Sequence, residues 1–312
     1  MAPARDGSDG QIDTAVREAP EPKRPFWRRR KTREAGLAAL FIAPSVIIFG
    51  AFFFYPIGRI VYLGFFQQNQ TRTRQRYVGF DQYVDVLTGD EFREGLTITL
   101  KYVIYTVPAG LVLGILLAVA ANRKLRGIKF FHTVFSSTVA TSVAVASIVW
   151  LVLINPTVGY FKVGWLRDTT MALFGVSLSS IWQNLGLTFI IVLAGLQAIP
   201  EELNEAATVD GMSPVRRFFT VTLPLLSPTL LFLVVVLTVF AFQAFAQIDI
   251  LTEGGPAGST ETLVFKIFKD QQGGAVGVGS VMAVGLFVIT FLVALAQFVL
   301  LERRVHYGSD RA

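Results

Sequence analysis

The chain has 312 residues, of which 53% are hydrophobic and only 16% are charged, and its formal net charge is +6. Because soluble proteins carry about 25% charged residues, this composition argues against an ordinary soluble globular fold. The sequence has no cysteine, which excludes disulfide scaffolds, zinc–thiolate sites and thiol catalysis. In a membrane protein, the basic excess indicates cytoplasmic loops and requires no nucleic-acid partner.

A polar segment comes first in the chain. Residues 1–34 are rich in Pro, Asp, Glu and Arg, so we expect a disordered basic cytoplasmic leader. Six nearly uncharged windows follow, each close to the roughly 20 residues that cross a hydrocarbon core. We predict a six-helix transmembrane domain over residues 35–307 and a short cytoplasmic tail at 308–312. The predicted spans are residues 37–57, 98–121, 133–154, 177–198, 229–248 and 278–301.

The distribution of Lys and Arg predicts the orientation. If the leader lies in the cytoplasm, most of the 28 basic residues lie on the cytoplasmic side, and the outer loops have no net charge. We therefore expect a multi-pass membrane protein with both termini in the cytoplasm.

No Asp, Glu, His or Arg lies in the middle of a predicted span, although ion-coupled transporters and proton pumps keep such residues there. Arg59 and Lys101 lie near outer span ends, where long side chains reach the interface. We find no phosphate-binding loop, serine nucleophile elbow or zinc-protease motif. We therefore predict no catalytic residue, no metal site and no cofactor in this chain. Three classes of membrane protein remain as alternative interpretations of the sequence: a secondary transporter, a channel and a non-transporting scaffold.

The segment between the fourth and fifth spans, residues 199–228, is longer than a helix connection requires. Pro200 and the acidic residues after it predict the start of a short helix, which Gly211 ends. Ser213 and Pro214 predict the start of a second short helix. A helix lying on lipid would carry basic residues on its polar face, so the acidic first helix is a poor fit to that alternative.

This segment resembles the EAA loop of the transmembrane permease subunits of binding-protein-dependent ABC importers. The matching residues are Glu205, Ala206, Ala207, Asp210, Gly211, Phe219, Leu223, Pro224 and Pro228. The outer segment 249–268, with Gly254, Gly255 and Pro256, is similar to the branch that imports carbohydrates and glycerol phosphates. Residues 216–219 and 240–249 look most like permeases for glycerol-3-phosphate or glycerophosphodiesters, although permeases for di- or oligosaccharides share most of the pattern.

The resemblance implies an all-α fold with six transmembrane helices, the ABC importer type I permease (MetI-like) fold. It implies that the EAA residues couple to an ATPase and that Gly254, Gly255 and Pro256 contact the binding protein. The implied partners are a second homologous permease, two copies of a cytoplasmic ATPase subunit that bind ATP and Mg²⁺, an extracytoplasmic binding protein and membrane lipid.

A translocation pathway requires polar groups that face a cavity, because amides in lipid need partners. The low-charge spans offer the candidates Trp182, Gln183, Asn184, Gln243, Gln247 and Asp249. For the four amides, helix packing is an equal alternative. The hydroxyls of Ser136, Ser137, Thr141 and Ser142 in the third span are better explained by packing between helices.

Overall fold

The computed structural model describes residues 26–68, 75–122 and 126–303, and the chain divides after Pro56 into two compact units. In the first unit, helix α1 runs over Phe26–Phe49 and a π-helical turn follows at Gly50–Phe54. That turn directly precedes Pro56, which has no N–H for the helical ladder. The predicted leader and tail lie outside the described residues except for residues 26–34.

The prediction of disorder is wrong for residues 26–34, because α1 begins at Phe26. The cause is readable in retrospect. Six of its nine residues are Arg, Lys or Glu, which are strong helix formers, and Pro25 precedes the first helical residue.

The rest of the chain is a series of helices with one small hairpin. The helices are α2 (Tyr55–Leu63), α3 (Asp81–Thr88), α4 (Asp90–Ala121), α5 (Ile128–Ser136), α6 (Val143–Ile154), α7 (Ala172–Gln197), α8 (Glu201–Val209), α9 (Pro214–Arg217), α10 (Leu223–Leu225), α11 (Ser227–Phe242), α12 (Ala246–Leu251), α13 (Leu263–Gly273) and α14 (Val276–Glu302). The hairpin pairs β1 (Phe66–Gln68) with β2 (Gln75–Tyr77) in antiparallel register, Phe66 opposite Tyr77. Apart from this hairpin, the described chain agrees with the all-α prediction.

Within the described residues, four helices are long and apolar enough to cross a membrane: Leu37–Leu63, Asp90–Ala121, Ala172–Gln197 and Val276–Glu302. The number rises to six if each of two bent helix pairs is one span. The second span begins eight residues before the predicted boundary, because Asp90 and Glu91 occupy the first turn of α4, where acidic side chains are favourable.

The third span is not the single helix predicted over 133–154, because α5 and α6 meet at an angle of 107°. Hydroxyl groups explain the break. The hydroxyls of Ser136 and Ser137 donate to backbone carbonyls in the last turn of α5. The chain then continues as a 3₁₀ helix at Ser137–Ala140. The Ser142 hydroxyl then accepts from Val145 N and caps α6.

The fifth span also differs from the prediction of one helix over 229–248. Helix α11 ends at Phe242, an irregular segment follows at 243–245, and α12 begins at Ala246. At its other end, α11 joins the helical segment Pro214–Leu225 through a bend of 70°. Both breaks place non-helical backbone between packed helices, where side chains can satisfy it.

Helices α4 and α7 form the centre of the second unit. Gly114 of α4 lies so close to α7 that a Cβ there would overlap the side chain of Thr188. Phe189 of α7 is fully buried in the apolar cluster beside this contact. The two helices therefore pack backbone to backbone, which is typical of small residues at helix interfaces in membranes.

Candidate functional site

A cavity of about 450 Å³ lies where the broken spans meet α4 and α7. Four of the six predicted pathway residues line it, namely Gln183, Asn184, Gln243 and Gln247. The other lining residues are Tyr102, Thr106, Val143, Ser180, Phe240, Ala241, Ala244, Phe245 and Ala246. We refer to this space as the amide cavity.

Three of the four amides are available to a bound solute. The side chains of Asn184, Gln243 and Gln247 make no hydrogen bond within the described part of the chain, although Gln247 is only 8% exposed. Asn184 is half-buried and Gln243 is exposed, whereas Gln247 is buried, where an amide without a partner is costly. Their convergence on one cavity fits a site that binds hydroxyl-bearing solutes.

Gln183 has a structural contact of its own. Its Nε2 donates to the Thr141 carbonyl at 3.4 Å, at the break between α5 and α6. Nearby, the Thr138 hydroxyl accepts from the backbone N–H of Gly186 at 2.9 Å. These two bonds hold the bent third span on α7, so Gln183 combines the packing role with a place on the cavity wall.

Trp182 and Asp249 do not line the amide cavity. Trp182 precedes Gln183 on α7 and is half-buried, and Asp249 lies within α12, two residues after the lining residue Gln247. Their roles in the pathway stay predictions.

Sequence reasoning missed the polar groups that α4 contributes to the cavity. Tyr102 is completely buried, and its hydroxyl lies 2.5 Å from that of Ser180 on α7. Thr106 lies one turn further along α4, and its hydroxyl donates to the Tyr102 carbonyl. The sequence did indicate them, because Tyr102 and Thr106 are four residues apart in an apolar span and so lie on one face of the helix.

The EAA segment begins with α8, which Gly211 ends as predicted. Gly211 has φ +73°, its N–H donates to the Thr208 carbonyl, and the Met212 N–H donates to the Ala207 carbonyl. This is a Schellman motif, which requires the left-handed conformation that glycine adopts without strain. Pro200 is the residue before the helix, not its first residue.

The exposure of α8 defines which of its residues can meet a partner. Glu205 and Ala206 are exposed, whereas Ala207 is 4% exposed and packs within this chain. The exposed apolar side chains of Leu203 and Val209 extend the free face, at 43% and 87% exposure. Sequence reasoning had not singled out these two.

The second helix of the EAA segment begins as predicted and continues further. Ser213 caps it, because its hydroxyl accepts from Arg216 N, and Pro214 is its first residue. It then runs through a π-helical turn at Phe218–Thr222 into α10, which contains Leu223 and Pro224. Phe219 is 60% exposed, while Leu223 and Pro224 are half-buried.

The predicted outer loop forms a closed turn after α12. The Gly255 N–H donates to the Thr252 carbonyl at 2.8 Å, and the hydroxyls of Thr252 and Thr260 lie 2.8 Å apart across the loop. Gly254 has φ +84°, and a Cβ there would press on the ring of Phe265. Gly255 and Pro256 border a separate cavity of about 430 Å³, which Asn155 and Arg167 also line.

Comparison with known proteins agrees with these motifs. Residues 110–307 match the family model described as "Binding-protein-dependent transport system inner membrane component". The chain is 36% identical over 286 residues to the sn-glycerol-3-phosphate transport system permease protein UgpA of Agrobacterium fabrum, covering 87% of this chain and 97% of the relative. It is 31% identical over 295 residues to the UgpA protein of Escherichia coli, covering 91% and 98%.

Solved structures share the fold. The chain superposes with a TM-score of 0.76 and 21% identity on a chain of the bacterial alginate ABC transporter in complex with an alginate pentasaccharide-bound periplasmic protein, covering 92% of this chain and 100% of that one. A second alginate importer structure gives a TM-score of 0.75 at 20% identity. The prediction of an ABC importer permease fold is confirmed.

The family model covers more than half of the chain, and the relatives align over nearly their whole length. Their names describe permease subunits of ABC transporters, which are transport components and not enzymes themselves. The family prediction made from the EAA and outer-loop motifs is therefore confirmed: this multi-pass chain belongs to the inner membrane components of binding-protein-dependent transport systems, in the carbohydrate and glycerol-3-phosphate branch.

Proposed function

We propose that this chain forms half of the translocation pathway of an ATP-driven importer for glycerol-3-phosphate or a glycerophosphodiester. One observation carries the proposal, namely that three amides without a partner among the described residues line one cavity of about 450 Å³. Amide side chains both donate and accept, so they match the hydroxyls of a glycerol group. The names of the relatives support this substrate class.

A second candidate solute is a di- or oligosaccharide. Among the described residues, the lining of the amide cavity contains no carboxylate, amine or guanidinium group that could serve as a counter-charge for a phosphate. Amides combined with the rings of Phe240 and Phe245 also suit a neutral sugar. A phosphorylated solute would need its counter-charge from the second permease.

In the proposed mechanism, α8 docks into a cleft of a cytoplasmic ATPase subunit. Its free face combines the acidic Glu205 with the small Ala206, which suits a close approach to a partner with basic groups. The ATPase subunits bind ATP and Mg²⁺, and their closure moves the docked helices and rocks the spans. A second homologous permease, two ATPase copies and an extracytoplasmic binding protein complete the assembly.

In the proposed orientation, α8 and both termini lie in the cytoplasm. The loop around Gly254, Gly255 and Pro256 then lies on the outer side, where it would contact the binding protein. The excess of Lys and Arg on the cytoplasmic side supports this arrangement.

Docking is tested by copurification from detergent. The wild-type chain should bring down an ATPase subunit and a second permease, whereas Glu205→Lys should lose the ATPase and retain membrane insertion. Gly211→Pro should behave alike, because Pro cannot adopt a positive φ. Glu202→Gln, an exposed acid one turn earlier, serves as the control. Normal uptake by Glu205→Lys and Gly211→Pro would refute the coupling role.

The solute is tested with the binding protein encoded beside this chain. Calorimetric titration with glycerol-3-phosphate, glycerophosphocholine and maltose separates the two candidate classes. We expect tight binding of one of the phosphorylated solutes, and binding of maltose alone would assign the chain to sugar import. Uptake driven by an ion gradient without ATP would instead favour a secondary transporter.

A further inference from the structure

Arg217 of α9 is hydrogen bonded to the neighbouring helix α8. Its Nη1 donates to the Thr208 hydroxyl at 2.6 Å and to the Asn204 carbonyl at 3.4 Å. The Thr208 hydroxyl in turn donates to the same Asn204 carbonyl at 2.7 Å. These three groups form a closed network between α8 and α9, which we call the Arg217 network.

The chemistry of the network favours arginine. The guanidinium lies beside the C-terminal half of α8, where the helix dipole is negative. Its Nη1 serves both acceptors, and the planar guanidinium loses less side-chain freedom in forming such bonds than the flexible ammonium of a lysine does. Arg216, the preceding residue, is exposed, and its side chain makes no hydrogen bond within the described residues.

Packing alone does little to fix the orientation of α8. Ala207 is the one buried residue in this helix, and its methyl group buries little surface. The connection to α9 is the short turn at 210–213. A cavity of about 290 Å³, which Asn204 and Arg217 line, separates the two helices from the ends of α4 and α7. Helix α8 therefore has room to turn about this connection.

The helix that carries Arg217 continues directly toward the amide cavity. It runs through the π-helical turn and α10 to the buried Leu226, where the chain bends by 70° into α11. Helix α11 then ends beside Gln243 on the cavity wall. A displacement of α9 therefore reaches the broken fifth span through the bend at the buried Leu226.

We propose that Arg217 is a positioning residue, which makes α8 and α9 move as one body and so transmits displacement of α8 to the fifth span. This proposal rests on the proposed function, in which α8 docks on an ATPase subunit. With the Arg217 network in place, movement of α8 carries α9 with it. Without the network, the turn at 210–213 flexes and α8 moves alone.

The test uses the complete complex in proteoliposomes and two readouts. The first is copurification of the ATPase subunit, which reports docking. The second is the stimulation of ATP hydrolysis by the binding protein purified with its bound ligand, which reports coupling across the membrane in the reverse direction. The Arg217→Ala variant should still copurify the ATPase subunit, but the binding protein should stimulate its ATP hydrolysis about tenfold less. The free energy of one hydrogen bond to a charged group corresponds to at least a tenfold change in an equilibrium constant.

Matched variants separate coupling from folding. Arg217→Lys should restore part of the stimulation, and Arg216→Ala should behave as wild type. Thr208→Val should also lower the stimulation. The double variant with Arg217→Ala and Thr208→Val should lose no more stimulation than Arg217→Ala alone, because both changes disrupt the same network.

Four outcomes would overturn the proposal. Full stimulation in Arg217→Ala, or additive losses in the double variant, would show that the network transmits nothing. Loss of copurification in Arg217→Ala alone would make Arg217 a docking residue instead. If the wild-type chain itself brings down no ATPase subunit, the proposed function fails, and this inference fails with it.

Discussion

The phenolic oxygen of Tyr102 and the hydroxyl oxygen of Ser180 lie 2.5 Å apart and join α4 to α7 at the wall of the amide cavity. Both residues are buried, at 0% and 3% exposure. Tyr102→Phe should lower the free energy of unfolding in detergent by about 1 to 2 kcal/mol, because it leaves the Ser180 hydroxyl without this partner.

A second change, at Ser180, tests whether the two hydroxyls stabilise each other. Ser180→Ala removes the other hydroxyl, so the double variant should be less destabilised than the sum of the single variants. Denaturation curves of the four proteins measure this difference. Additive effects would show that the two hydroxyls do not stabilise each other.

The unpaired amide of Asn184 gives a prediction for transport. Asn184→Leu should raise the KM for uptake about tenfold with little change in stability, since its amide bonds to nothing else in the described chain. Gln183→Leu is the matched variant. It should also lower the thermal stability, because it removes the bond to Thr141 at the bend. Equal effects of both variants on KM and stability would contradict the distinction between them.

The close approach of Gly114 to Thr188 predicts a position-specific cost of added volume. Gly114→Ala should destabilise the protein by about 1 to 3 kcal/mol, because its Cβ would overlap the Thr188 side chain. Gly110→Ala is the control one turn earlier, where no atom lies within 4 Å of the added Cβ. That change should be neutral or slightly stabilising. Thermal unfolding of the two variants in detergent measures the difference, and equal losses would count against backbone packing at Gly114.

Asp270 of α13 predicts a pH dependence outside the candidate spans. Burial raises its pKa to about 6, the Glu91 carboxylate adds to the rise, and Lys266 and Lys269 oppose it. Its Oδ2 is buried with no hydrogen-bond partner in the described chain. The neutral form therefore fits the folded protein better than the carboxylate does.

The sign of the effect follows from this raised pKa. Stability from the neutral carboxyl is complete below the ordinary pKa of 3.8 and is lost as the pH rises through 6. Asp270→Asn should therefore stabilise the protein at pH 7 to 8 by on the order of 1 kcal/mol, a value reduced for partial exposure. Unfolding curves between pH 5 and pH 8, roughly the range around this pKa, measure the effect. A variant less stable than wild type at pH 8 would contradict it.

The amino-acid sequence locates apolar windows but not the continuity of the helices within them. The six nearly uncharged windows overlap four candidate spans and two bent helix pairs, because a span needs about 20 apolar residues to cross the hydrocarbon. The bend at Ser142 depends on hydroxyls that choose backbone carbonyls over other partners, and several arrangements satisfy the same hydroxyls. The end of α11 likewise depends on a tertiary bond, from the Thr262 hydroxyl to the Ala244 carbonyl.

The local structure of the candidate site is predictable from the sequence where it depends on neighbouring residues alone. Gly211 and Ser213 are readable from helix-capping rules alone. Tyr102 was missed because its partner, Ser180, lies 78 positions away in the sequence. The burial of Ala207 was missed for the same kind of reason, since it depends on how α8 folds back onto the chain.

The irregular segment between α11 and α12 has a consequence for the solvent of the pathway. Its backbone N–H groups at Gln243 and Ala244 and its carbonyls at Ala244 and Phe245 have partners in the described chain. The amides of Asn184, Gln243 and Gln247, which line the same cavity, have none there and need polar partners at membrane depth. Water is the partner that can enter and leave freely, so we expect the cavity to be hydrated before a solute arrives. Binding is then an exchange of hydroxyl groups for water molecules, and affinity depends on how well the solute reproduces the hydrogen bonds of the water that it displaces.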